Sequence, residues 1–292
     1  MDNRLKRPIT AAWLAQVMGK RLHGPDSVID NVRSIDNVGD RALVFSILPP
    51  TLAVACICTV IGPKEMVQGG VSVIESDNPR LDFALALSKL QAAIGFCDRD
   101  VPPKIHPSVK LGHNVVTENG VEIDEGTTIC HNVVIGEGVK IGKNCLIKSG
   151  TVIGQQGFGF ESDLNGTPVP LLHVGSVRIG DHVVLGALNT VARGMLEDTV
   201  VGDNVKTDDH VHIAHNVAIG PNTLIAACAE ISGSVKIGKG VWIGPNVSIT
   251  NKIEIGDCAL IGIGAVITKS VAAGKIVAGK HAMVLRDRTP SE

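Results

Sequence analysis

The sequence predicts a mainly β protein: a left-handed parallel β-helix of hexapeptide repeats, preceded by a small α/β domain. Three observations predict it. From Ile105 the chain divides into consecutive hexads, most of them opening on an aliphatic residue. Residues 1–100 show no such period. The composition, with 33 Gly, five Phe, two Trp and no Tyr, suits stacked aliphatic layers better than a mixed globule.

Residues 1–100 read as alternating helices and strands. TAAWLAQVMGK (10–20) has helical apolar spacing at Leu14, Val17 and Met18, and NPRLDFALALSKLQ (78–91) is a second helix with Asn78 or Asp82 near its start. SVIDNVRSI, LAVACICTVIG and VSVIES are rich in β-branched residues and read as strands. The Pro-containing stretch DRDVPPKIHPSV marks the boundary, because a residue before proline is pushed towards extended backbone. The expected units are therefore 1–100, a β-helix over 101–275 and a carboxyl-terminal tail over 276–292.

The β-helix reading rests on 24 hexads. The first nine, IHPSVK to IGQQGF, begin with Ile or Leu in eight cases. The frame returns at Ile179 with IGDHVV, LGALNT and VARGML, slips by four residues across Leu196–Val200, and runs unbroken from Val201 to ITKSVA. Each hexad has an aliphatic first position, a small or turn-forming second and a small or β-branched fifth. Such a unit cannot bury its apolar side alone, but stacked neighbours can. Three hexads per coil give 18 residues and about eight coils. Helical spacings of three and four are absent. The break at 159–178, GFESDLNGTPVPLLHVGSVR, is read as a loop thrown out from a corner.

Composition also excludes function classes. The formal net charge is −2, with no basic stripe interleaved with aromatics, so nucleic acid is not an expected partner. No run approaches the roughly 20 apolar residues of a membrane span, and MDNRLKRPITAAWL is too short in apolar length for a signal peptide. The expectation is a cytoplasmic protein. Seven cysteines lack CxxC spacing and most, Cys228 included, are read as packing residues; Cys56 and Cys58 form a lone CxC.

HVHIAHNVAIG (210–220) concentrates three of the ten histidines. In the hexad frame His210 stands at the fourth position, His212 at the sixth and His215 at the third, pointing away from inward Ile213. An outward imidazole suits a general base, since it exchanges a proton near neutral pH. His210 and His212 are read as corner or wall residues. A zinc hydratase is an alternative, by resemblance to the γ-carbonic anhydrase family: His210 and His215 are separated by four residues, as two of that family's ligands are, and three imidazoles would leave one zinc position open for water.

GTVIGQQGFGF (150–160), the RG of VARGMLEDTVVGDNVK (191–206) and HIAHNVAIG (212–220) together resemble the UDP-3-O-acylglucosamine N-acyltransferase family of lipid A synthesis, over roughly residues 8–270. NPRLDFALALSKL is also similar to the last helix of that family's amino-terminal domain. The resemblance implies a homotrimer with active sites between neighbouring β-helices, a nucleotide-sugar substrate and His215 as general base. It implies substrate contacts at Phe45, Asn216, Gly157, Phe158, Gly159 and Lys252. Phe158 reads alternatively as an apolar plug for the coil, and Asn216 as a residue satisfying a turn. No permanently bound cofactor and no metal are implied; the donor is an acyl thioester of acyl carrier protein or coenzyme A.

The resemblance has gaps. Where the family holds uracil with an aromatic pair and an Asn, FSILPPT keeps Phe45 but places Leu48 and Thr51 at the other two positions. The family's Asp before the RG is Ala192, its Asp before GFG is Gln156, and its second His is Lys252. The tail KIVAGKHAMVLRDRTPSE instead resembles the closing segment of coenzyme A-dependent acetyltransferases of nucleotide-linked amino sugars, which implies donor contacts at Gly279, Ala282 and Arg286. Three other readings follow: an acetyl-coenzyme A-dependent amino-sugar N-acetyltransferase, a γ-carbonic anhydrase-like zinc enzyme, and an inactive trimeric scaffold.

Overall fold

The computed structural model describes residues 3–47, 56–67, 69–96 and 101–279. Its amino-terminal part is one six-stranded sheet with two helices. The elements run β1 (Arg4–Thr10), α1 (Ala11–Met18), β2 (Leu22–His23), β3 (Val28–Val32), β4 (Ala42–Phe45), β5 (Thr59–Gly62), β6 (Ser72–Glu75) and α2 (Pro79–Ala93). The sheet order is β1-β3-β4-β5-β6-β2, parallel from β3 to β6 with antiparallel edges. Local chemistry sets the helix ends. The Thr10 side chain accepts from the Trp13 N–H to cap α1, and Gly19 closes it at φ +65°. Asn78 caps α2, with Pro79 at its first position where no N–H is needed. Strands β1, β2 and β4 had no reading from the sequence because they are short or polar. Of LAVACICTVIG, only the end forms a strand, and residues 52–55 lie outside the described residues.

From Lys104 to Val277 the chain winds into a three-sided parallel β-helix whose walls hold eight, nine and eight strands. Strands one coil apart pair in register: on the third wall Ile213, Ile231 and Ile249 lie directly above one another. First-position Ile, Leu and Val and fifth-position Val, Ala, Thr and Cys fill the interior. Coil stacking explains the small second position. A Cβ on Gly220 would lie 2.6 Å from the carbonyl carbon of Gly238 in the next coil.

Corners explain the fourth position. It is left-handed at most corners, among them Asn114, Asn132, Asn144, His182, Leu188, Asn204, His210, Asn216 and Asn222, with φ between +53° and +61° at the non-glycine residues. Asn and Gly tolerate that region best, which accounts for their frequency there. Cys228 (φ +59°) and Cys258 (φ +56°) occupy such corners and are exposed. They are not the packing residues the sequence suggested; Cys58 and Cys145 are.

Two irregularities fall at one corner, between the third and first walls. Residues 156–176 leave the coil after Val152–Gln155 and return at Val177–Ile179, forming a hairpin of Phe160–Ser162 with Pro168–Pro170. One coil later the four-residue slip lifts residues 193–198 between Thr190–Ala192 and Thr199–Val201. Together they receive the amino-terminal part. Leu171, Val174 and Leu196 join Leu5, Leu14, Phe83 and Leu87 in one buried cluster. Asn3 donates to the Leu196 carbonyl, Ser34 Oγ donates to Glu197 Oε1 at 3.2 Å, and Arg80 Nε meets Glu161 Oε1 at 2.6 Å. Among the described residues no helix is long and apolar enough to cross a membrane.

The stacked core makes one stability prediction. Ile231 is fully buried between Ile213 and Ile249, so Ile231→Ala should cost about 2–5 kcal/mol. Urea unfolding monitored by far-ultraviolet dichroism reads the loss; a change under about 0.5 kcal/mol would contradict a close-packed interior.

Candidate functional site

The irregular corner encloses a cleft of about 670 Å³. Its successive layers come from successive coils: Gln156–Phe160 and His173 of the insertion, Met195 of the slip, Ala214–His215, then Ser232–Ser234, then Asn251–Lys252. His212 and Glu230 line its third-wall side, and Arg80 reaches it from α2.

His215 is set by its corner. Asn216, at φ +58°, donates its main-chain N–H to Thr199 Oγ1 and its side-chain Nδ2 to the Glu197 carbonyl, both at 2.9 Å. Its Oδ1 accepts from the Met195 N–H at 2.9 Å and lies 3.1 Å from His215 Nδ1. The Glu197 carbonyl can only accept and the Met195 N–H can only donate, so the amide orientation is fixed. His215 Nδ1 therefore carries a proton and donates to Asn216 Oδ1. The ring has room because residue 233 is glycine: a Cβ there would lie 2.6 Å from Nε2.

A second imidazole stands beside the first. His173 is 1 % exposed, and its ring centroid is 5.1 Å from that of His215, edge to face at 73°. Its Nδ1 donates to the Leu171 carbonyl at 2.9 Å, so its Nε2 carries a lone pair. Gln156 clamps its backbone from both sides, accepting from the His173 N–H at 3.0 Å and donating to the His173 carbonyl at 3.3 Å. Burial, reinforced by the neighbouring His215 and by Arg193, lowers the His173 pKa from 6.5 to about 4. Arg193, the first residue of the slip, is itself buried, donating to the Glu137 carbonyl with the Glu137 carboxylate 3.7 Å away.

The expected site residues divide. His215, Gly157, Phe158, Gly159 and Lys252 line the one cleft. Asn216 does not: its polar groups are spent within the chain, so it buttresses His215 instead of offering itself to a substrate. Phe158 is 88 % exposed, with its ring 5.1 Å from that of Phe160, and plugs nothing. Phe45 packs on Phe83 at 4.8 Å in the amino-terminal core. Gly279 lies at the far end of the β-helix beside Gly264 and Ala265, away from the cleft. Leu48, Thr51, Ala282 and Arg286 lie outside the described residues.

His210 sits at a different corner from His215, and among the described residues no cluster of three His, Cys, Asp or Glu side chains is placed to hold a metal ion. His173, Met195, Arg80 and Glu230 were not expected in the site. One signal was available: counting in steps of 18 puts residues 215, 233 and 251 in one column, directly above the two breaks in the period.

Burial of His173 has a pH consequence. Above pH 6.5 it is neutral in both states; as the pH falls towards 4 the unfolded chain takes up a proton that the folded chain refuses. Stability should fall by on the order of 3 kcal/mol across that window and level off below it. Denaturation midpoints of wild type and His173→Gln at pH 7 and pH 4.5 provide the measurement. Equal pH slopes in the two proteins would remove His173 as the cause.

The bacterial transferase hexapeptide (six repeats) family model matches residues 120–155, 198–233 and 234–269. UDP-3-O-acylglucosamine N-acyltransferase of Coxiella burnetii is 53 % identical over 81 residues, 28 % of this chain and 24 % of that protein. The Pseudomonas aeruginosa enzyme of the same name is 48 % identical over 81 residues, again 28 % of this chain and 23 % of that one. The match thus spans about a quarter of the length of these relatives. Among solved structures, LpxA from Acinetobacter baumannii aligns with a TM-score of 0.55 at 25 % identity, covering 62 % of this chain and 68 % of that one. A Francisella novicida UDP-N-acetylglucosamine acyltransferase aligns with a TM-score of 0.51 at 25 % identity, covering 61 % and 65 %. The chain carries hexapeptide repeats over the matched residues and shares the parallel β-helix fold of these LpxA-type structures.

Proposed function

We propose that this protein is an N-acyltransferase that moves an acyl group from a pantetheine thioester to the amine of a nucleotide-linked amino sugar, as in lipid A synthesis. The observation that carries the reading is His215: an imidazole oriented through Nδ1 by Asn216 Oδ1, in a cleft cut into one corner of the coil. The names of the relatives support the same class. In the reaction the amine nitrogen attacks the thioester carbon and His215 Nε2 takes a proton from it. The C–S bond breaks as the tetrahedral intermediate collapses, the amide remains, and the departing thiolate receives the proton. No covalent acyl-enzyme is required. The residues proposed to line the substrate's path are Gly157, Phe158, Gly159 and Lys252. The thioester is carried by acyl carrier protein or coenzyme A, and the reaction belongs in the cytoplasm, where both are found.

His215→Ala should lower the transfer rate by about 10²–10⁴-fold with little effect on the melting temperature, since the ring fills no core position. His210→Ala, at another corner, is the control. Steady-state transfer of radiolabelled acyl groups provides the readout, and near-normal turnover in His215→Ala would sink the assignment.

A homotrimer is part of the proposal, supported by an apolar ladder on the second wall. Leu224, Trp242, Leu260 and Ile276 stack in register and point outward, 39 %, 46 %, 37 % and 75 % exposed. Contiguous apolar surface of this kind marks an interaction site. Sedimentation velocity should give three chains for wild type and one for the Trp242→Glu, Leu260→Glu double variant. A monomeric wild type would end the shared-cleft mechanism.

A further inference from the structure

His173 Nε2 is a buried acceptor with no hydrogen-bond partner among the described residues. Such an atom in a native chain costs free energy unless something fills its valence in the working state. Its surroundings are built. Gln156 and the Leu171 carbonyl fix the backbone and the tautomer, and the cover over the ring is bare main chain at two glycines. A Cβ on Gly157 would lie 2.7 Å from Nε2, and one on Gly159 2.8 Å from Cε1. The Phe158 side chain between them projects into solvent and does not bind the segment down.

The cleft therefore holds two imidazoles at one end, each with Nδ1–H tied to the chain, and the Nε2 of His173 carries a lone pair. A primary amine attacking through its own lone pair presents two N–H groups; a hydroxyl presents one O–H. We propose that His173 is a substrate-binding residue that accepts the second N–H of the attacking amine while His215 takes the first, and so selects an amine over a hydroxyl as acyl acceptor. Contact requires the Gly157–Phe158–Gly159 segment to lift from the His173 ring. The inference rests on the acyltransferase reading above and extends it to acceptor choice. It also places the binding atom on the insertion, outside the repeat.

The test uses the full chain, a pantetheine acyl thioester, and two UDP-linked sugars identical except for an amine or a hydroxyl at the reacting carbon. Wild type should prefer the amine. His173→Leu should lower kcat/KM for the amine by about 10–100-fold and change the hydroxyl reaction by less than about threefold, because only the amine loses an acceptor. His173→Gln, whose Oε1 can still accept, should recover part of the preference, and circular dichroism confirms that each variant is folded. An unchanged amine-to-hydroxyl ratio in folded His173→Leu overturns the proposal, as does a wild-type preference for the hydroxyl, and in both cases acyl transfer itself stands. No transfer by wild type to either sugar defeats the acyltransferase reading, and this proposal with it.

Discussion

Stacking of the first and fifth hexad positions along the coil axis is the interaction on which everything else depends. Each coil buries Ile, Leu or Val against the same position 18 residues away, and the parallel ladders hold that register by backbone hydrogen bonds. One consequence is rigidity of direction: a side chain at the third position of a corner projects outward at a fixed azimuth. Another is intolerance of small shifts. An insertion of one or two residues inside a strand would turn core positions to solvent. The chain therefore places its irregular segments between strands, where residues can be added without disturbing the stack.

Both large irregularities use the same corner, and the site follows from that coincidence. The insertion at 156–176 supplies a wall carrying His173, the slip at 193–198 supplies Met195 and the Glu197 carbonyl, and the next regular coil supplies His215. The amino-terminal sheet docks on these two segments through Leu171, Val174 and Leu196, tying the loops down from outside. A long polar insertion thereby gains a buried face. The column above stays regular, and its small residues, Gly233 foremost, leave room for the imidazole.

The repeat made the fold legible. Period, frame slip and insertion could all be counted, and the outward direction of His215 followed from its hexad position. What the period could not carry was anything lying off it. His173 belongs to an aperiodic segment, and LLHVGSV gives no local sign that its ring folds against a residue 42 positions later. Asn216 was ambiguous for another reason: an Asn at a fourth position is explained by its left-handed backbone alone, so its grip on His215 leaves no separate trace. Cys228 misled because aliphatic neighbours suggest packing, whereas its left-handed corner leaves the side chain exposed.

The departures at Gln156 and Ala192 acquire a physical reason from the second imidazole. Gln156 both donates to and accepts from the His173 backbone. A carboxylate at that position would face the His173 carbonyl with nothing to donate, so the amide is the side chain that can clamp this strand. A carboxylate at position 192, on the wall of the same cleft, would favour the charged form of a nearby imidazole. Alanine imposes no such bias, and the buried Arg193 next to it disfavours a further positive charge at His173. Burial of the ring, reinforced by His215 and Arg193, keeps His173 uncharged, which is the condition for its Nε2 to act as an acceptor.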